Sequence, residues 1–158
     1  MQLLLKAQSS KASYQKNQHK MIKGINIFAK IFVLTVIPLN LFGQLSLTVA
    51  INGLKNSNGQ VLLALSDENG KNTLGFNQII ENKKCTFVIK DLKPGNYTFK
   101  YFHDENKNNK LDTNFIGMPL EGFGFANDAT GKFGPPPLEK TVISVKGDTT
   151  LTCNIVYF

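Results

Sequence analysis

Asp91-Leu92-Lys93-Pro94-Gly95-Asn96-Tyr97-Thr98-Phe99-Lys100-Tyr101-Phe102-His103 is the stretch that decides the fold. A Pro-Gly pair sets a tight turn. After it Tyr97, Phe99, Tyr101 and His103 recur at every second position, the period of a strand with one face turned inward. Outward from this strand the pattern repeats. Residues 84–90 place Cys85, Phe87 and Ile89 on one face. Residues 45–52 alternate Leu45, Leu47, Val49 and Ile51 with polar or small residues. Residues 59–66 are apolar on both faces, as in a strand central to a sheet. Residues 74–81 read as a weaker strand or an irregular segment. Residues 140–146 and 149–158 read as a terminal hairpin around Gly147-Asp148. Asn69-Gly70 and the segment 53–59 supply turn chemistry between runs. No window carries the period of a long amphipathic helix, and no internal repeat is present.

About seven short strands in one domain imply an all-β fold, an antiparallel sandwich. The Pro-Gly turn leading into Tyr97 resembles the corresponding loop of Ig-like and transthyretin-like modules. There a tyrosine hydroxyl ties back to the preceding turn. That resemblance assigns Tyr97 a structural role.

Charge divides the chain in two. The full sequence has 158 residues, 18 basic residues and 11 acidic ones. Residues 1–43 hold six of the lysines and no acid, and the remainder carries twelve lysines against eleven acids, so its net charge is +1. There is no arginine, the usual reader of phosphates and bases. Nucleic acid is therefore not an expected partner. Residues 21–43 read as an export signal: Lys23 and Lys30, an apolar run over 31–42, then the small Gly43. The run is short for a bilayer span. Met21 is then the expected true start, with 1–43 an extension and cleavable signal peptide. Residues 44–158 form the mature domain, exported to the periplasm or beyond the cell, with no transmembrane anchor. Cys85 and Cys153 both lie in phase with apolar neighbours. Two buried free thiols and a disulfide stay open as alternatives.

The segment 103–127 holds the candidate site. Asp104, Asn106 and Asn108 are followed by Asp112 and Asn114, oxygen-bearing side chains at every second position except Lys110. Lys110 still offers its carbonyl. Hard cations take six to eight oxygens, and a loop with ligands at positions 1, 3, 5, 7 and 9 wraps Ca²⁺. Leu111 is the apolar residue such loops favour. Two positions depart from the pattern. Asn109 stands where Gly is usual, although Asn tolerates a left-handed backbone. Phe115 stands where a bidentate Glu is expected, and Glu121 is the substitute ligand from beyond the loop. The alternative is a polar loop of Asx-turns bonded to itself.

From Gly95 to Asn127 the chain resembles the bacterial DUF2141 family. The residues that carry the likeness are Gly95 and Tyr97, Phe102-His103-Asp104-Glu105-Asn106, Leu111-Asp112-Thr113-Asn114, Gly117 and Pro119, and Glu121-Gly122-Phe123-Gly124-Phe125-Ala126-Asn127. The resemblance implies a small exported β-sandwich and no particular reaction. Ala126 replaces a more usual Ser, and Asn108-Asn109 a more usual Asn-Gly.

The expected function is thus a non-enzymatic accessory or binding module for a protein, peptide or glycan, with Ca²⁺ as the candidate loop cofactor. His103, Phe123, Phe125 and Asn127 mark the candidate partner surface. A hydrolase built on His103 and the loop carboxylates is the remaining rival. No nucleophile elbow and no phosphate loop accompanies them. Gly134-Pro135-Pro136-Pro137 reads as a stiff connection carrying the chain across the sandwich.

Overall fold

The computed structural model describes residues 44–132 and 134–158. The proposed signal segment lies outside them. Among the described residues, eight strands form two sheets: β1 (Leu45–Asn52), β2 (Gln60–Asp67), β3 (Leu74–Gln78), β4 (Cys85–Leu92), β5 (Gly95–Asp104), β6 (Phe123–Phe125), β7 (Ile143–Val145) and β8 (Thr149–Asn154). One sheet has the order β4-β1-β8. The other runs β3-β2-β5, and β5 continues to β6 and β7 on its far side. β5 is long enough to serve both partners: Gly95, Asn96 and Tyr97 pair with β7, and Lys100, Tyr101 and Phe102 pair with β6.

The two sheets bury the faces expected from their alternation. Leu47, Val49 and Ile51 of β1 meet Val61, Leu63 and Leu65 of β2 and Phe99 and Tyr101 of β5 in one core, joined by Phe87, Ile89, Ile143 and Val145. β2 is central, between β3 and β5, as its two apolar faces imply. Tyr97 acts as the corner: its hydroxyl donates to the Lys93 carbonyl at 2.8 Å. Tyr101 ties the sheets together, its hydroxyl donating to the Asn154 carbonyl at 2.9 Å.

Three expectations are corrected. First, β7 and β8 are not a hairpin: β7 pairs with β5, and β8 pairs with β1 in the opposite sheet. Asp148 explains the switch, because its carboxylate accepts the Ser46 N–H and hydroxyl and pins the turn beside the start of β1. Second, the sandwich is mixed, since the β1–β8 pair is parallel. Third, the proline-rich connection does not change sheets, because β6 and β7 both flank β5.

Cys85 and Cys153 are buried free thiols. Both pair with Ile51, one from each side of β1. Two inter-strand spacings separate them by about 9.5 Å. A disulfide needs Cα atoms within about 7 Å.

Candidate functional site

β5 ends in His103 and Asp104, both fully buried. The His103 Nε2 lies 2.7 Å from the Asn58 carbonyl, which can only accept, so Nε2 carries the proton. In the neutral ring Nδ1 is then the acceptor, and the Tyr157 hydroxyl donates to it at 2.7 Å. Tyr157 itself accepts the Lys55 N–H at 3.3 Å. Burial raises the Tyr157 phenol above its ordinary value. His103 is therefore a structural tie between strand end, chain terminus and the 53–59 connection, and it presents nothing to a partner.

Asp104 organises the loop that follows. Oδ1 accepts the Asn108 N–H at 3.0 Å, and Oδ2 accepts the Asn109 N–H at 3.0 Å and the Gln60 side-chain amide at 2.9 Å. Lys107 and Asn109 take left-handed backbone angles, φ 61° and 62°. Asn106 Oδ1 accepts the Asn108 N–H, and Asn108 Oδ1 accepts the Lys110 N–H. The amide groups of Asn106 and Asn108 donate to Asp112 at 2.6 and 2.9 Å. Asp104, Asn106, Asn108 and Asp112 are thus brought together as their spacing implies. Asn114 is not: its Oδ1 accepts the Ile116 and Met118 N–H groups in the next turn.

Glu121 holds the loop closed. It is buried, with Oε1 accepting the Glu105 N–H at 2.9 Å and Oε2 accepting the Asp112 N–H at 3.0 Å. Beside it, burial alone would raise the Glu105 carboxyl. The Lys55 ammonium at 2.6 Å and the Asn56 amide outweigh that and hold it below its usual value. Among the described residues, no three His, Cys, Asp or Glu side chains are grouped as metal ligands.

The Gly-aromatic segment works by alternation. Gly124 faces inward over the Tyr101 ring and Gly122 over the Tyr157 ring, where a Cβ would collide with either phenol. Phe123 and Phe125 consequently face outward, opposite Phe102 and Lys100 of β5. Their rings meet edge to face at 6.2 Å, and both are half-buried. With Leu62, Ala64 and Phe102, Phe125 floors a shallow groove of about 550 Å³ on the outer face of the larger sheet. Leu111 and Asn109 from the folded-back loop wall it, and Asn77 and Lys100 add polar groups. Asn127 lies outside this groove. Its amide straps the chain to the Lys140 and Val142 carbonyls.

A second surface was not anticipated. Beyond Asp112 the chain makes a tight excursion in which Phe115, Ile116, Met118 and Leu120 are 98, 65, 41 and 61% exposed. In sequence these residues pass for core or connection. Their isolation between turn residues was the only signal.

Two stacked sheets with a single elaborated end, carrying a loop closed by buried carboxylates and an apolar outer groove, define a small all-β sandwich module. Residues 49–152 match the family described as "Uncharacterized protein conserved in bacteria (DUF2141)", and the chain belongs to that family. No curated protein matches it. Among solved structures it is similar to the C-terminally truncated tip fimbrial protein Mfa3 from Porphyromonas gingivalis, at 13% identity and a TM-score of 0.37. The match covers 67% of this chain and 47% of that one, so this chain spans about half the length of that protein.

Proposed function

We propose that the protein is an exported, non-enzymatic binding module whose outer groove takes an extended apolar segment of a protein partner. The observation that carries this is the outer face of the larger sheet. A sheet with one face in water normally alternates apolar-in with polar-out. Here Leu62, Ala64, Phe102 and Phe125 line the outward side as well. A glycan would call for a ring of directional polar groups, and the groove offers chiefly apolar side chains.

The groove lining includes no carboxylate, histidine, serine or threonine. The groups a hydrolase would need are committed elsewhere: both His103 nitrogens, both Asp104 oxygens and both Glu121 oxygens have partners. Support for export comes from the basic, then apolar, leader of the sequence.

Calcium is a second reading of the loop, favoured by the convergence of Asn106, Asn108 and Asp112 above Asp104. A cation there would displace the two amide donors from Asp112. It would draw on Asp104, Asn106, Asn108, Asp112 and the Lys110 carbonyl, with Glu121 remaining on the backbone.

The experiment is selection of binding peptides from a displayed library, followed by amide chemical-shift mapping. Apolar peptides should shift residues 62–64, 75–77, 100–102 and 123–125. Ala64→Lys should weaken binding about tenfold or more. Enrichment of no peptide, or shifts confined elsewhere, overturns the groove as the site. Binding on a glycan array without peptide binding replaces the occupant.

A further inference from the structure

We propose that the outer groove of one molecule receives the loop tip, residues 113–120, of a second copy, and that two copies do this for each other in a reciprocal dimer. The inference rests on the groove being the binding site, and it names the occupant. Phe115, Ile116, Met118 and Leu120 project from the tip, and Phe115 is almost wholly exposed, so the tip does not lie in its own groove. No residue from Thr113 to Leu120 is charged. Such a cluster on a small domain marks a site of contact.

The backbone of the tip says what its partner must offer. Its neck is closed from within. The Asn114 N–H donates to the Met118 carbonyl, the Gly117 N–H to the Asn114 carbonyl, and the Leu120 N–H to the Asp112 carbonyl. The Ile116 and Met118 N–H groups donate to Asn114 Oδ1. These bonds order the tip beforehand, which lowers the entropic cost of docking. At the apex, among the described residues, the Phe115 N–H and the Phe115, Ile116 and Gly117 carbonyls have no partner in the chain. A buried polar group left without a partner is costly. An apolar apex with three free acceptors and one free donor therefore fits an apolar surface that is richer in donors than in acceptors.

The groove of the same chain has that composition. Its floor is apolar, and its polar side chains are Lys100, Asn109 and Asn77. Lys100 is exposed and, among the described residues, has no carboxylate within ion-pair distance. Asn109 accepts from Gln60 through Oδ1, which leaves its NH₂ group free to donate. Asn77 donates to Gln60 Oε1, which leaves its Oδ1 free to accept. Two donor groups and one acceptor thus stand ready for the carbonyls and the N–H of the apex. The charges agree. Lys100 is the charged residue of the lining, while around the neck of the tip Asp104, Glu105, Asp112 and Glu121 outnumber Lys55, Lys107 and Lys110.

Position in the chain makes the exchange mutual. Asn109 and Leu111 wall the groove, and the tip begins two residues after Leu111, so tip and groove adjoin. A twofold axis between them lets each copy give its tip and receive the other's, an arrangement in which residue i meets j and j meets i. One tip alone is small beside the roughly 1,200–2,000 Å² of a stable interface, and reciprocity doubles the contact.

The test is sedimentation velocity of the whole chain. Wild type is compared with Phe115→Asp/Ile116→Asp in the tip, with Ala64→Lys and Lys100→Glu in the groove, and with Val88→Asp on the opposite sheet. The leader is common to all of them, so the differences read tip and groove. Tip and groove variants should self-associate at least about tenfold more weakly than wild type, with unchanged melting temperatures, and Val88→Asp should match wild type. Should Ala64→Lys melt early, Lys100→Glu, altered at an exposed side chain, serves as the groove variant. Mixing separates this contact from any other. The tip variant keeps its groove and the groove variant keeps its tip, so together they regain one of the two contacts. Amide shifts of the labelled tip variant, on addition of the unlabelled groove variant, should then fall at residues 62–64, 75–77, 100–102 and 123–125. Wild type that stays monomeric up to about 1 mM, equal association of wild type and tip variant, or a mixture no more associated than its components overturns the second copy as occupant. The groove itself is judged separately in the monomeric tip variant. Selected peptides that shift the groove residues there, where a second copy does not, remove only this occupant, and a groove silent to both removes the binding site as well.

Discussion

Glu121 and Asp112 are joined side chain to backbone: Glu121 Oε2 accepts the Asp112 N–H at 3.0 Å while Oε1 accepts the Glu105 N–H at 2.9 Å. One buried carboxylate thereby fastens both ends of the 105–112 loop. Glu121→Gln replaces an acceptor with an NH₂ group facing an N–H. An unsatisfied buried group costs about 1–3 kcal/mol. The expected result is a lower melting temperature together with faster amide exchange at Glu105 and Asp112. Unchanged exchange at both would show that the clasp is not what closes the loop.

The same hydrogen bonds set the expectation for metal. The Asp104 and Asp112 oxygens already accept five N–H donors between them. A cation must displace some of these. Chelation should therefore leave the melting temperature unchanged, and Ca²⁺ should raise it little at millimolar concentration. A Ca²⁺-specific rise, growing with concentration and lost in Asp104→Ala and Asp112→Ala, would establish the calcium reading through linkage to the folded state.

Why some of this was legible in the sequence and some was not follows from the range of the interactions. Alternation placed Tyr97, Phe99, Tyr101 and His103 correctly, because period-2 patterning is local. The apolar character of both faces of residues 59–66 foretold a central strand. Alternation cannot say which sheet a strand joins, and so the 140–158 region read as a hairpin. The contact that separates β7 from β8, Asp148 to Ser46, spans 102 residues. In the loop, the Asp/Asn spacing correctly brought Asp104, Asn106, Asn108 and Asp112 together. Nothing in that spacing shows whether their partners are N–H groups or a cation. Glu121 was marked as a ligand, and its bonds to two backbone amides are visible only in three dimensions. Phe115 was read only as a departure from the cation-loop pattern, and its exposure with that of its neighbours was not foreseen, because an apolar residue in a sequence is read as interior until its surroundings are known.

The two thiols should be inert. Burial pushes the Cys85 thiol up to about 12 and the Cys153 thiol, with the Asp128 charge adding to the burial, to about 11. The thiolate is the reactive form. Native protein at pH 8 should therefore react slowly with a disulfide reagent, and both thiols should react promptly in denaturant. Stability follows the same shifts. A folded pKa raised above the unfolded 9.0 means the unfolded chain loses its proton first. The native state is thus fully favoured below pH 9, and stability falls as pH rises from about 9 towards 11–12. Tyr101, raised chiefly by burial, pushes the same way. A melting temperature that held constant between pH 9 and pH 11 would contradict this.

His103 and Tyr157 give the sharpest test of the buried network. The Asn58 carbonyl fixes the proton on Nε2, so Nδ1 depends on the Tyr157 hydroxyl. Tyr157→Phe keeps the ring that covers Gly122 and removes only the donor. The orphaned nitrogen should cost about 1–3 kcal/mol, seen as a lower midpoint in urea with an unchanged slope. Nitrogen chemical shifts of the imidazole should report the Nε2–H tautomer in wild type. A proton found on Nδ1 would reverse the donor and acceptor roles and overturn this account. Gly122→Ala makes the complementary point, since its Cβ would strike the Tyr157 ring itself. Overpacking of this kind costs about 1–3 kcal/mol. Because both substitutions act on one side chain, their effects should not add. Once Gly122→Ala has displaced the phenol, Tyr157→Phe should cost less than it does alone, and strict additivity would mean that the hydroxyl and the ring of Tyr157 act independently.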